Sequence, residues 1–310
     1  MTGSIRTVGV VGTGVIGASW TGLFLANGLK VLVSDPAPNA EEKLVDYLNS
    51  IWPTLQEIGL AQNASLANYR FVGASLEAHY GELDFVQENA PERLGLKTKL
   101  VGEIDAGTRP DVIIASSSSG ITSSQFIGNC MHPERVLIGH PFNPPHLMPL
   151  GTCIASFRSL WHADPDTTSA ENVRITIDFY KSLGKRPVLV KKEVPGFAAN
   201  RLQAGLCAEA YSLVKNGVLS AEDVDMSNIS GGGGGKDGFQ HMMRHLGPGI
   251  QVWLHDMRAN EYDFSEESLA ICDASVQEML SHVDEKEVGK QRDEVLISLL
   301  KEKRGASALV

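Results

Sequence analysis

The chain has little of what would place it in several protein classes. Only four cysteines occur in 310 residues, Cys130, Cys153, Cys207 and Cys272, and no two form a CxxC pair. That spacing excludes a disulfide scaffold and offers no metal-ligand cluster, so reduced thiols in a cytoplasmic setting are expected. No uninterrupted apolar run reaches the roughly 20 residues that a membrane helix needs, so no membrane partner is expected. The N-terminus lacks the long apolar core of a secretory signal. No Lys/Arg-rich run is present and the formal net charge is −10, which argues against nucleic acid or an anionic membrane surface as a partner. What remains is ordinary globular composition, 43% hydrophobic and 21% charged, at a length that suggests two domains.

The most informative stretch is Gly12-Thr13-Gly14-Val15-Ile16-Gly17. It follows an apolar run, Val8 to Val11, with the character of a buried strand. It opens a segment from Val15 to Asn27 with helical spacing at Ile16, Trp20, Leu23 and Phe24. A second apolar run, Val31 to Val33, ends in Ser34-Asp35. Strand, glycine turn, helix, strand and acid form the βαβ fingerprint of a dinucleotide site. Gly12 permits the tight turn, Gly14 lets a pyrophosphate approach the backbone, and Gly17 lets helix and sheet pack closely. The phosphates would rest on the unpaired N–H groups of Val15, Ile16 and Gly17 at the positive end of the helix dipole. Asp35 would accept hydrogen bonds from the ribose hydroxyls and repel a 2′-phosphate, so NAD is the expected cofactor.

Further along, the pattern alternates between strand and helix as far as residue 192. Glu41 to Leu60 has the pattern of a helix interrupted near Pro53. Strands are expected at Leu83–Val86, Val112–Ala115, Arg135–Gly139 and Arg186–Val190, and an amphipathic helix at Ser169–Leu183. Such alternation predicts an α/β fold, a Rossmann-type doubly wound parallel sheet, over residues 1–193. Ligands bind beyond the carboxyl ends of such strands, where Asp35, the serine run at 116–119 and His140 all fall. After Lys191-Lys192-Glu193 no strand pattern follows. Residues 194–310 are expected to form a second, all-helical domain for substrate and subunit contacts. Its helices are placed from Pro195 to Lys215, from a capping box at Ser220-Ala221-Glu222-Asp223, and near 265–283 and 287–303. Gly231 to Gly235 followed by Lys236-Asp237 fails the phosphate-loop pattern and has the composition of a flexible loop.

His140 opens the stretch His140-Pro141-Phe142-Asn143-Pro144-Pro145-His146 at a strand end. A histidine there can take a proton from a substrate hydroxyl as hydride leaves the same carbon. Asn143 can hold an amide or carbonyl. Three prolines stiffen the backbone around them. Taken alone, such a histidine is more often a structural hydrogen-bonding group.

Together, Gly139 to Pro149, the run Ser116 to Ser119, and Pro195-Gly196-Phe197 with Asn200-Arg201-Leu202 resemble the L-3-hydroxyacyl-CoA dehydrogenase superfamily. The HPFNPPH wording, the SSSSG run and the C-terminal RDEVL are most similar to its small-hydroxyacid branch, which holds L-gulonate 3-dehydrogenase (lambda-crystallin) and L-carnitine dehydrogenase. The resemblance implies oxidation of the 3-hydroxyl of an L-3-hydroxyacyl-CoA or a small L-3-hydroxy acid, and a homodimer. It implies that His140 is the base, that Ser119 bonds the substrate oxygen and helps orient the nicotinamide, and that Asn143 contacts the nicotinamide region. Asn200 would polarise the reacting oxygen, while Glu92 and Lys97 would lie at the nicotinamide ribose. For Glu92 and Lys97 a solvated helix face is an equal alternative.

Two departures stand out. Members of the family pair the catalytic histidine with a glutamate in an apolar strand, at a position held here by Thr152, and the strand is replaced by Gly151 to Asp164. The stretch between Asp225 and the five glycines is shorter than in the family. Asp164 or Asp166 could restore the missing carboxylate. The alternative function is an NAD-binding protein of weak or no catalysis, with a structural or regulatory role. A Rossmann reductase for 2-hydroxy or branched acids is a third reading, disfavoured by HPFNPPH.

Overall fold

The computed structural model describes residues 5–148, 150–155, 168–218, 238–259, 263 and 265–281, with backbone alone for 150–155. The chain divides into two compact units, Met1–Asp256 and Met257–Val310.

The first unit is built on an eight-stranded sheet. Its strands are β1 (Thr7–Val11), β2 (Lys30–Ser34), β3 (Tyr69–Phe71), β4 (Phe85–Glu88), β5 (Ile113–Ser116), β6 (Val136–His140), β7 (Leu150–Ala155) and β8 (Arg186–Val190). The order is β3-β2-β1-β4-β5-β6-β7-β8. The first six in that order are parallel, β7 runs antiparallel to β6, and β8 runs parallel to β7. The expected parallel sheet therefore holds through β6 and reverses at its far edge. A strand does form within the segment that replaces the family strand. Thr152, Cys153 and Ile154 suit a pleated backbone, and the edge of β6 offers them hydrogen-bonding partners.

Alternate residues on each strand feed opposite faces, as a period of two requires. Val8, Val10, Val31, Val33, Phe85, Ile113, Ala115 and Leu137 enter one core, with Trp20, Phe24, Leu44, Leu48, Phe179 and Tyr180 from the helices. Val11, Leu32, Val86, Ile114, Val136 and Ile138 enter the other, with Val101, Ile104 and Phe126. Burial on both faces explains why these strands read as unbroken apolar runs.

The helices are α1 (Val15–Ala26), α2 (Ala40–Ile58), α3 (Leu94–Gly107), α4 (Ala170–Ser182), α5 (Ala199–Lys215), α6 (Gly238–Ala259) and α7 (Glu266–Leu280). Three differ from the sequence expectation. Helix α2 runs unbroken through Pro53, because Leu44, Leu48, Ile51 and Leu55 form one buried stripe on both sides of it. Helix α5 begins at Ala199 rather than Pro195, because Gly196 (φ 75°) and Phe197 (φ 53°) are left-handed and cannot start a helix. Helix α6 has no counterpart among the expected helices, and it continues through Gly247-Pro248-Gly249 despite their turn-like composition. In the second unit, the Ser265 hydroxyl accepts from the Ser268 N–H at the start of α7. The expected helix from Ser220, the five glycines, the helix near 287–303, and Asp164 and Asp166 lie outside the described residues. No described helix is long and apolar enough to cross a membrane.

Candidate active site

The sheet order turns back on itself at β1, with β2 on one side and β4 on the other. Such a switch point leaves a crevice beyond the carboxyl ends of the strands. The glycine turn follows β1, Asp35 follows β2, Glu92 follows β4, Ser119 follows β5, and His140 ends β6.

At the turn, Gly12 has φ 88°, and a Cβ there would lie 2.7 Å from the Asn89 carbonyl oxygen. A Cβ on Gly17 would lie 1.9 Å from the Gly12 carbonyl oxygen. A Cβ on Gly14 would meet nothing within 4 Å, so that glycine faces open space. The first turn of α1 has no side-chain cap and no acid. Its N–H groups at Val15, Ile16 and Gly17 have no intrahelical acceptor, as at any helix start, and could receive an anion there.

The Asp35 carboxylate fixes the opposite wall. It accepts from the Thr13 N–H at 2.6 Å, the Thr13 hydroxyl at 2.8 Å and the Ala37 N–H at 2.8 Å. Burial alone would raise its pKa. The Thr13 and Ala37 donors, with Lys43 nearby, outweigh this and hold it below the ordinary value. An open cleft of about 640 Å³ beside it is lined by Asp35, Ala37, Asn39, Glu41, Phe71 and Gly73. The residues present thus suit NAD: a backbone cradle open over Gly14, and an ionised acid where a ribose hydroxyl would sit.

Lys97 does not lie on a solvated helix face, and Glu92, though 40% exposed, lies ahead of the helix rather than on it. Glu92 precedes α3 and accepts from the Ser118 hydroxyl at 2.6 Å and from the N–H groups of Ser119, Gly120 and Ile121 at 3.0, 2.9 and 3.1 Å. Burial would raise its pKa, but these donors and Lys97 lower it on balance. Lys97 is 1% exposed. Its Nζ lies 3.0 Å from both oxygens of Glu88 and 3.7 Å from Glu92. Glu88, an acid at the end of an apolar strand, was the residue the sequence reading passed over. Its signal is weak: the strand reads Phe85-Val86-Gln87-Glu88, with two polar residues at its end, yet all four are buried.

Asn200, on the first turn of α5, donates from Nδ2 to the Ser119 carbonyl at 2.7 Å. That bond joins two of the expected residues. His140 is 7% exposed and its ring lies 6.3 Å from Phe142 and 6.0 Å from Phe197. Burial lowers its pKa to about 4, opposed by the negative charge of Glu92. Its Nδ1 is buried with no hydrogen-bond partner among the described residues. The backbone register sets His140 opposite Cys153, so Thr152 is one place removed from the direct cross-strand position. Asn143 is exposed in the loop after β6.

The model of the 3-hydroxyacyl-CoA dehydrogenase NAD binding domain matches residues 7–194. A 3-hydroxyacyl-CoA dehydrogenase of Gibberella moniliformis is 42% identical over 100% of this chain and 98% of its own. An L-carnitine dehydrogenase of Pseudomonas aeruginosa is 43% identical over 81% of this chain and 80% of its own. Among solved structures, an NAD+-dependent dehydrogenase and dismutase of a substituted pyridine carboxylic acid is similar with a TM-score of 0.64 and 30% identity, covering 87% of both chains. The (S)-3-hydroxybutyryl-CoA dehydrogenase of Ralstonia eutropha matches with a TM-score of 0.63 and 27% identity, over 83% of this chain and 94% of that one. With the glycine cradle, the acid after β2 and the histidine ending β6 on one edge of a Rossmann sheet, the chain belongs to the 3-hydroxyacyl-CoA dehydrogenase family of NAD-dependent oxidoreductases, in the branch that includes carnitine dehydrogenases.

Proposed function

We propose that this enzyme oxidises the 3-hydroxyl of an L-3-hydroxyacyl-CoA or a small L-3-hydroxy acid, with His140 as the base. One observation carries the reading: a neutral imidazole, held almost free of solvent at the end of β6, on the sheet edge that also bears the glycine cradle. When bound, NAD supplies the acceptor for the hydride that leaves C3. Oxidation breaks the C3–H and O–H bonds and forms the C3 carbonyl. The hydroxyl proton goes to Nε2 of His140, because Nδ1 is sealed from solvent. Burial keeps the ring unprotonated at neutral pH, so the base is ready without prior proton loss.

Asn200 would polarise the reacting oxygen. One Nδ2 hydrogen is engaged by the Ser119 carbonyl, and the second would serve the substrate. Ser119 is in turn fixed through its N–H by Glu92. Gly14 and the first turn of α1 would hold the pyrophosphate, Asp35 the adenosine ribose, and Asn143 the nicotinamide region. Glu92 and Lys97 would set the loop beside the nicotinamide ribose. We also propose a homodimer, supported by Leu202 and Leu206, exposed one turn apart on α5 at 76% and 74%.

The test is the appearance of NADH absorbance with a panel that includes L-3-hydroxybutyryl-CoA, L-carnitine and L-gulonate. Turnover of at least one member is expected, with NAD strongly preferred over NADP. Tight NAD binding without NADH from any of them would defeat the proposal.

A further inference from the structure

We propose that Lys185 is a positioning residue for His140, its buried ammonium tying down the loop from Pro141 to Met148 that continues directly from the histidine. This inference rests on the reading of His140 as the base. The loop leaves the end of β6 and returns to the sheet only at β7. Within it, Pro144 accepts from the N–H groups of Leu147 and Met148 at 3.0 Å each, which makes one tight turn. Two outside anchors hold that turn. Lys185 Nζ donates to the Pro145 carbonyl and, at 3.0 Å, to the Met148 carbonyl. From the other side, the Ser19 hydroxyl on α1 accepts from the His146 N–H at 2.9 Å and lies 2.7 Å from His146 Nδ1.

Lys185 is 6% exposed, and no carboxylate pairs with it among the described residues. Its charge is met by two loop carbonyls and by the Trp20 ring, 5.8 Å away. A buried ammonium without a counter-ion costs free energy that an apolar side chain of the same length would not. If Lys185 served packing alone, methionine would serve better. What the ammonium adds is two directed hydrogen bonds, both to the loop that follows His140.

The titratable groups around it are His146 on the loop, Tyr47 of α2 packed edge-on against His146, and Tyr180 of α4 stacked with Trp20. Burial and the charge of Lys185 together hold His146 below its ordinary range. Burial alone brings the Lys185 ammonium down to about 8. The anchor therefore weakens in mildly alkaline solution, where the neutral amine keeps N–H donors but loses the charge that strengthens them.

The test uses the full chain and follows the His140 ring by NMR, its resonance assigned with His140→Asn. Lys185→Met is expected to move the His140 titration midpoint upward by at least one pH unit as the loop admits water. Its NAD affinity should stay within twofold of wild type. Lys185→Arg, which keeps charge and donors, should leave the midpoint in place. An unmoved midpoint in folded Lys185→Met overturns the proposal, as does a parallel loss of NAD affinity. Should Lys185→Met fail to fold, the wild-type protein decides. Hydrogen-exchange protection at Leu147 and Met148 should fall between pH 7 and 9 beyond the intrinsic rate change, and flat protection overturns the proposal. A His140→Asn variant that still turns over L-3-hydroxybutyryl-CoA would instead defeat the base assignment while leaving the loop result standing.

Discussion

His140 shows how burial changes the proton affinity of an ordinary side chain. A solvated imidazole is half-protonated near pH 6.5, whereas burial brings this one down to about 4. The folded state binds its proton more weakly than the unfolded chain does. Stability linked to this group is therefore fully present above pH 6.5 and is lost as pH falls from 6.5 through 4, by about 3 kcal/mol in total. Urea titrations at pH 7 and pH 4.5 should show this loss, and His140→Asn should remove that share of it. The same substitution should lower turnover by about 10² to 10⁴, the range for a general base, with little change in NAD affinity. The identity of His140 as a candidate was legible from its motif. Its Nδ1, without a partner among the described residues, and its lowered pKa were not, because both depend on what packs around the ring, Phe142 and Phe197 included.

At the scale of an element, the turn between β1 and α1 makes three glycines do three separate jobs. Gly17 cannot bear a Cβ because the Gly12 carbonyl lies 1.9 Å from where it would be, while Gly14 faces open space. Gly17→Ala is expected to distort the turn, reducing both stability and NAD affinity. Gly14→Ala should fold as wild type yet bind NAD at least tenfold more weakly, since its methyl would occupy the pyrophosphate position. Thermal unfolding and calorimetric titration of the two variants separate these outcomes. Equal NAD affinity in Gly14→Ala would remove the pyrophosphate from this cradle. Local chemistry disclosed this element almost completely, because a glycine turn, a strand and a helix start are short-range features. It disclosed α6 and β3 poorly. The Gly-Pro-Gly of α6 has the signature of a breaker, and β3 is three residues paired along the edge to β2.

For the whole molecule, the question is how many copies act together. Leu202 and Leu206 put an apolar pair on the outside of α5, where a monomer gains nothing from them. Sedimentation velocity at micromolar concentration should give twice the chain mass. Replacing both leucines by glutamate should return the mass to that of one chain. A wild-type monomer under those conditions would end the homodimer proposal.

By itself the sequence determined the Rossmann half of the protein: apolar runs of strand length, separated by helices and punctuated by glycine, admit few other packings. Only the tertiary structure decided the rest. It buried Lys97 between Glu88 and Glu92, stripped His140 of solvent, hung the following loop on Lys185 and Ser19, and turned β7 antiparallel to β6. These partners lie far apart along the chain, and a charge or a proton affinity is set by what surrounds a group in space rather than by its neighbours in sequence.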